Sequence, residues 1–143
     1  MTLLEIPWGA SRQMTDKPEH WQLLGVSFVF VMFLASGIAH FALLDLFTSL
    51  VPHYVPFPRQ VVMATGACEV AGAFALPFKP LRRITGWACA LYLLCVLPVH
   101  IDMLIHADRW QFLGTAFLWI RPFFQPVLIA IVLLSTEPLR SER

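Results

Sequence analysis

Five side chains in a largely apolar chain have the types and positions to do chemistry: His40, Glu69, His100, Arg121 and Gln125. Glu69 stands near the middle of the apolar stretch 60–78. On insertion scales a charge at that depth costs about 2.5–3.5 kcal/mol, so intramembrane acids face a bundle interior and mark functional sites. Arg121 supplies the opposite charge, and Gln125 follows it one turn later on the same helix face. The two imidazoles can hydrogen-bond, titrate or ligate a metal. Such a set suits recognition of a small polar head group, passage of a proton, or a haem held between His40 and His100. The Glu-x-x-His pairs of di-iron bundles do not occur. No metal ligand set is assigned and no residue is assigned as catalytic.

Something must hold these groups together, and composition indicates what. Of 143 residues, 58% are hydrophobic and 13% charged, where a soluble domain carries roughly a quarter charged residues. One membrane domain is expected over 1–143. The net charge of +1 offers no basic field for nucleic acid. Cys68, Cys89 and Cys95 lie in apolar segments without a C-x-x-C spacing and read as small helix-packing residues. Residues 1–20 show no charged region leading into an apolar core and a small-residue cleavage site, so no cleaved signal peptide is expected. A short interfacial segment around Ile6–Trp8 remains open.

The pattern predicts an all-α, four-span transmembrane bundle with spans at about 22–44, 60–78, 84–106 and 112–135, each near the ~20 residues that cross a bilayer as a helix. Asp45 closes the first helix in this reading. The connection 45–59 carries Pro52, Pro56 and Pro58, which favour extended backbone, and its aromatics suit an interfacial lid. Within the second span Ala64, Cys68 and Gly72 form one row and Ala67, Ala71 and Ala75 another, which would let neighbouring helices approach closely. Residues 79–83 read as a short turn between antiparallel helices, and Pro98 should kink the third span. Trp21, Trp87 and Trp110 fit interfacial belts. Arg12, Lys17, Lys79, Arg82, Arg83, Arg140 and Arg143 fall on one side, against Arg59 and Arg109 on the other. By the positive-inside rule both termini are cytoplasmic and the protein is a multi-pass inner-membrane protein.

That topology sets the polar groups at similar depths. Counted at ~1.5 Å per residue from the outer helix ends, His40 lies about 6 Å down, His100 about 9 Å, and Glu69 and Arg121 about 14 Å. Gln125 is one turn deeper, while Asp102 is near enough to the interface to be hydrated. A mutual network is the economical arrangement, since charges in lipid must be paired. Glu69 with Arg121 is its expected centre, flanked by His40 and His100. Such a network can lock helices in register, bind a quinone-like amphipathic molecule beneath the proline-rich connection, carry protons or ions, or ligate haem through two histidines. The last rests on two histidines alone.

Several short motifs in order carry a family resemblance. They are Gly37-Ile38-Ala39-His40-Phe41, Val51-Pro52 with Val55-Pro56, and Gly66-Ala67-Cys68-Glu69-Val70-Ala71-Gly72. Pro98 through Met103, Arg121-Pro122 and Gln125 complete the set. From about Phe33 to Ile131 the chain resembles the DoxX-like family of small four-helix membrane proteins. The resemblance implies redox association: a subunit serving a partner oxidoreductase, with a quinone-like ligand as the implied small molecule. A non-catalytic scaffold or assembly factor, in which the polar network is structural, is the alternative. Either could act as a homo-oligomer in the lipid bilayer. Where similar sequences often carry Asn two residues after the third-helix proline, this chain has His100, a group that titrates where an amide does not.

Overall fold

A computed structural model describes residues 20–109 and 114–137. The chain there is all-helical: α1 (His20–Ala42), α2 (Leu44–Leu50), α3 (Pro58–Ala75), α4 (Lys79–Ile105) and α5 (Thr115–Thr136). The four long helices fall within a few residues of the expected spans. Ile6–Trp8, Arg12, Lys17, Trp110, Phe112, Arg140 and Arg143 lie outside the described residues.

Among the described residues, three helices are long and apolar enough to cross a membrane: His20–Ala42, Lys79–Ile105 and Leu118–Thr136. The 18-residue α3 extends about 27 Å at 1.5 Å per residue and is diluted by Arg59, Gln60, Thr65 and Glu69. Outward faces are apolar, with Leu24, Val31, Ile84, Leu91, Ile105 and Phe123 all exposed, whereas Gln22, Glu69, Thr85, His100 and Gln125 are buried. That inversion of the soluble pattern suits a lipid solvent, in which apolar surface need not be hidden and unpaired polar groups are costly.

α1 packs most extensively on α3, and α4 on α5, with α1 also against α5. All four contribute to one apolar core: Val26, Val29 and Phe33 from α1, Ala73 near the end of α3 with Leu76 just beyond it, Cys89 and Leu93 from α4, Leu128 and Val132 from α5. The α1–α3 crossing is close because Gly37 and Gly66 face each other's helices. A Cβ at Gly66 would lie 2.7 Å from His40 Cβ, and one at Gly37 2.7 Å from Val70 Cγ2, as in small-residue packing generally.

Four expectations need correction. First, the connection after α1 is not wholly extended. Leu44–Leu50 forms a helix with Asp45 in its first turn, because the prolines begin only at Pro52, beyond its last carbonyl. The chain turns at Leu43 (φ −119, ψ 38), where Leu43 N still donates to Ala39 O and Phe47 N to Leu43 O. Second, Lys79–Arg83 is the first turn of α4, with Pro80 at a position that needs no donor. The actual turn is residues 76–78, and Arg82 Nε donates to Leu76 O at 3.2 Å, capping a carbonyl left open at the end of α3. Third, of the two rows of small residues, Ala64, Ala67, Cys68 and Ala71 face outward, while Gly72 does lie close to α4, a Cβ there falling 3.3 Å from Cys89 Sγ. The buried row of α3 is instead Val62, Gly66, Glu69 and Ala73. Fourth, of the cysteines only Cys89 packs in the core, while Cys68 and Cys95 are exposed.

Candidate functional site

The helices place chemistry at one end of the bundle. The C-terminal parts of α1 and α4 meet the N-terminal parts of α3 and α5 there, beside α2. His40 is in the last turn of α1. Glu69 takes the inward row of α3, one turn beyond Gly66. On α4 the inward positions Leu93, Val96, His100 and Met103 follow helical spacing, and α5 offers Arg121, Phe124, Gln125 and Leu128 in the same way. Continuous helix runs through Pro98 and through Pro122 and Pro126. Each proline deprives the carbonyl four residues earlier of its donor.

These faces enclose a cavity of about 480 Å³, and His40, Glu69, His100, Arg121 and Gln125 all line it. Its volume lies within the roughly 300–1,000 Å³ of small-molecule sites. The remaining wall is mainly apolar: Phe33, Leu93 and Leu128 of the core on one side, Leu50, Val51 and Val55 of the α1–α3 connection on the other. Leu50 is held in place with Met103 and Leu118 in a second apolar cluster. The segment after α2 thus contributes side chains to the cavity, although part of it is helical.

Glu69 is the hub. Tyr92 Oη donates to its Oε1 at 2.7 Å, and His40 Nδ1 lies 3.3 Å from its Oε2. His40 Nδ1 is also 2.9 Å from Ser36 O. A carbonyl oxygen only accepts, so this contact puts a proton on Nδ1. The imidazole is further fixed by Phe47 of α2, ring centroids 4.3 Å apart and planes tilted 33°. Arg121 interacts electrostatically with Glu69 and Tyr92, so the acid and base expected at matched depth share one cavity. Gln125 Nε2 donates to Leu93 O at 2.7 Å, tying α5 to α4 a turn before Pro98. His100 lies beside Gln125 and within the field of Arg121.

Among the described residues, two buried polar atoms receive no hydrogen bond: Glu69 Oε2 and His100 Nδ1. Glu69 and His100 are 7% and 8% exposed, so bulk water does not serve these atoms either. Native interiors leave few such atoms, and each calls for an explanation.

Tyr92 is the site residue that sequence reasoning missed, with Phe47 and Ser36 as its lesser companions. Its signal was faint: a hydroxyl on an apolar helix two turns before His100. Asp102, expected to be merely hydrated, has His106 Nδ1 at 3.4 Å from Oδ1. Among the described residues no three His, Cys, Asp or Glu side chains gather as a metal centre. Residues 29–136 match the family model described as Domain of unknown function (DUF8561), and the chain belongs to that family. No curated protein and no solved structure matches it.

Proposed function

We propose that this protein is a four-span inner-membrane protein, with both termini cytoplasmic, that binds a small amphipathic molecule in the cavity between its helices. The carrying observation is that one mostly apolar cavity is lined by both residues with an unsatisfied buried polar atom, Glu69 and His100. An apolar pocket with a few convergent polar groups is the usual form of a small-molecule site. Phe33, Tyr92 and Phe124 suit a flat ring, and His40, Glu69, His100, Arg121 and Gln125 suit its polar substituents. A quinone-like head group has both features. Together with the resemblance to DoxX-like proteins, this favours a redox-associated subunit working beside a partner oxidoreductase. The residues would bind and orient such a molecule, and the electron chemistry would belong to the molecule and the partner.

Mild detergent extraction of the untagged protein tests this, followed by an absorption spectrum and mass spectrometry of what copurifies. A stoichiometric small amphiphile or redox partner is the expected result. A colourless protein carrying only phospholipid counts against the reading.

One observation favours a second reading, a structural lock in a scaffold protein: Tyr92, Glu69 and His40 join α4, α3 and α1. The readings part in the double variant Glu69→Gln/Arg121→Met. Glu69→Gln alone removes the buried acid that Arg121 faces; because Arg121 is only half-buried, the loss should fall below the roughly 3–5 kcal/mol of a fully buried pair. The double variant should regain folding but hold the ligand more weakly. Full parental behaviour, ligand included, would remove the site from consideration.

A further inference from the structure

The hydrogen-bonding inventory of the cavity says more than that something amphipathic fits. Gln125 Nε2 is engaged with Leu93 O, Tyr92 Oη with Glu69 Oε1, and His40 Nδ1 with Ser36 O. Arg121 is engaged electrostatically with Glu69 and Tyr92. That leaves His100 Nδ1 and Glu69 Oε2, which His40 Nδ1 approaches to 3.3 Å without a hydrogen bond. The carboxylate group turns about a broad terminal torsion, so Oε2 can meet a partner placed in the cavity. A carboxylate oxygen is purely an acceptor. The missing partner must therefore be a donor.

Resting on the reading of the cavity as a ligand site, we infer that its ligand is a neutral hydroxylated amphiphile, a phenol or alcohol, whose O–H donates to Glu69 Oε2. Ligands that only accept, such as ethers and the carbonyls of an oxidised quinone, leave Oε2 as it is, whereas the hydroxyls of a quinol serve it. An anionic head group is drawn to Arg121 but meets Glu69 in the same cavity, so like charges oppose it. His100 Nδ1 donates or accepts according to its tautomer. The same hydroxyl, its one proton given to Oε2, still accepts from His100 Nδ1 in the tautomer that carries the proton there.

The test uses three probes of one shape: 4-heptylphenol, its methyl ether 4-heptylanisole, and 4-heptylbenzoate. Each is titrated into the full-length protein in lipid nanodiscs and read by native mass spectrometry. Taking the phenol-to-anisole affinity ratio in the wild type relative to Glu69→Gln cancels partitioning into lipid. That double ratio should be about tenfold, the worth of one hydrogen bond to a charged acceptor. The Glu69→Gln/Arg121→Met background should show the same loss if the single variant folds poorly. On the wild type alone, an infrared difference spectrum should show a carboxylate band shift with the phenol and none with the anisole.

A double ratio near one, with both probes bound and no infrared shift, overturns the inference and leaves the ligand site standing. Preference for the benzoate overturns it in favour of an anion site on Arg121. Binding of none of the probes overturns the ligand site and the inference with it.

Discussion

Glu69 keeps company of two kinds. Tyr92 donates to its Oε1 at 2.7 Å, while His40 Nδ1 stands 3.3 Å from its Oε2 without a hydrogen bond to it. The Tyr92 hydroxyl is the part of this set that acts on stability most directly. Interhelical hydrogen bonds in membrane proteins contribute about 0.6 kcal/mol on average and up to about 1.7 kcal/mol. Tyr92→Phe keeps the ring against Phe33, 6.0 Å between centroids, and removes only the bond. It should lower stability by about 0.6–1.7 kcal/mol, read as a drop in Tm of the detergent-purified protein. No change would mean that the bond is lost to competing donors. His40→Ala differs in kind: it removes a ring that touches α2 and a proton aimed at Ser36, so it should loosen the site beyond the charge alone.

The helices confer this geometry unequally. α2 is short and its ionic contact, Arg59 Nη1 to Asp45 Oδ1 at 2.8 Å, is exposed. Exposed pairs contribute about 0–1 kcal/mol. The buried contact is Leu50, packed with Met103 and Leu118. Asp45→Asn should therefore leave Tm and ligand binding nearly unchanged. Leu50→Ala should cost about 2–5 kcal/mol by the scale of buried leucine truncations, or weaken binding where the loss stays local to that wall of the cavity. Thermal melts and probe titrations of the two variants side by side decide it. Equal effects would mean that the wall is held by charge. Phe57, at φ 53 and ψ 54 just before Pro58, pins the other end of the connection in a left-handed conformation that only a few residues outside glycine adopt.

At the scale of the molecule, Gln22 Nε2 reaches Glu137 O at 3.1 Å, so the bundle is closed at the end opposite the cavity. The apolar core of four helices lies between that closure and the polar site. The proposed orientation puts the cavity in the outer half and the 76–78 turn on the cytoplasmic side. Replacing the three cysteines with serine or alanine and adding one reporter checks it. A membrane-impermeant maleimide should label His53→Cys in intact cells, and Leu81→Cys only after permeabilisation. The reverse pattern would show that the bundle is inverted, with the Lys79, Arg82 and Arg83 cluster outside.

By itself the sequence determined the helical class, the extents of the long helices within a few residues, and the five polar residues that prove to share a cavity. Those follow from local information: a long apolar run must be helical in lipid to satisfy its backbone, and a rare polar group within it must turn inward. It did not determine which small residues of α3 share the inward row with Glu69. Two other rows of small residues looked able to pack, and the inward row instead carries Gly66, which admits His40 of α1. The α2 helix was hidden by the prolines just after it, since a chain can turn at Leu43 and keep its hydrogen bonds. Only the tertiary structure decided that Tyr92, besides the residue at matched depth, serves Glu69. Depth along a helix is written in residue number, but azimuth is set by packing against neighbours whose own rotation depends on all the others.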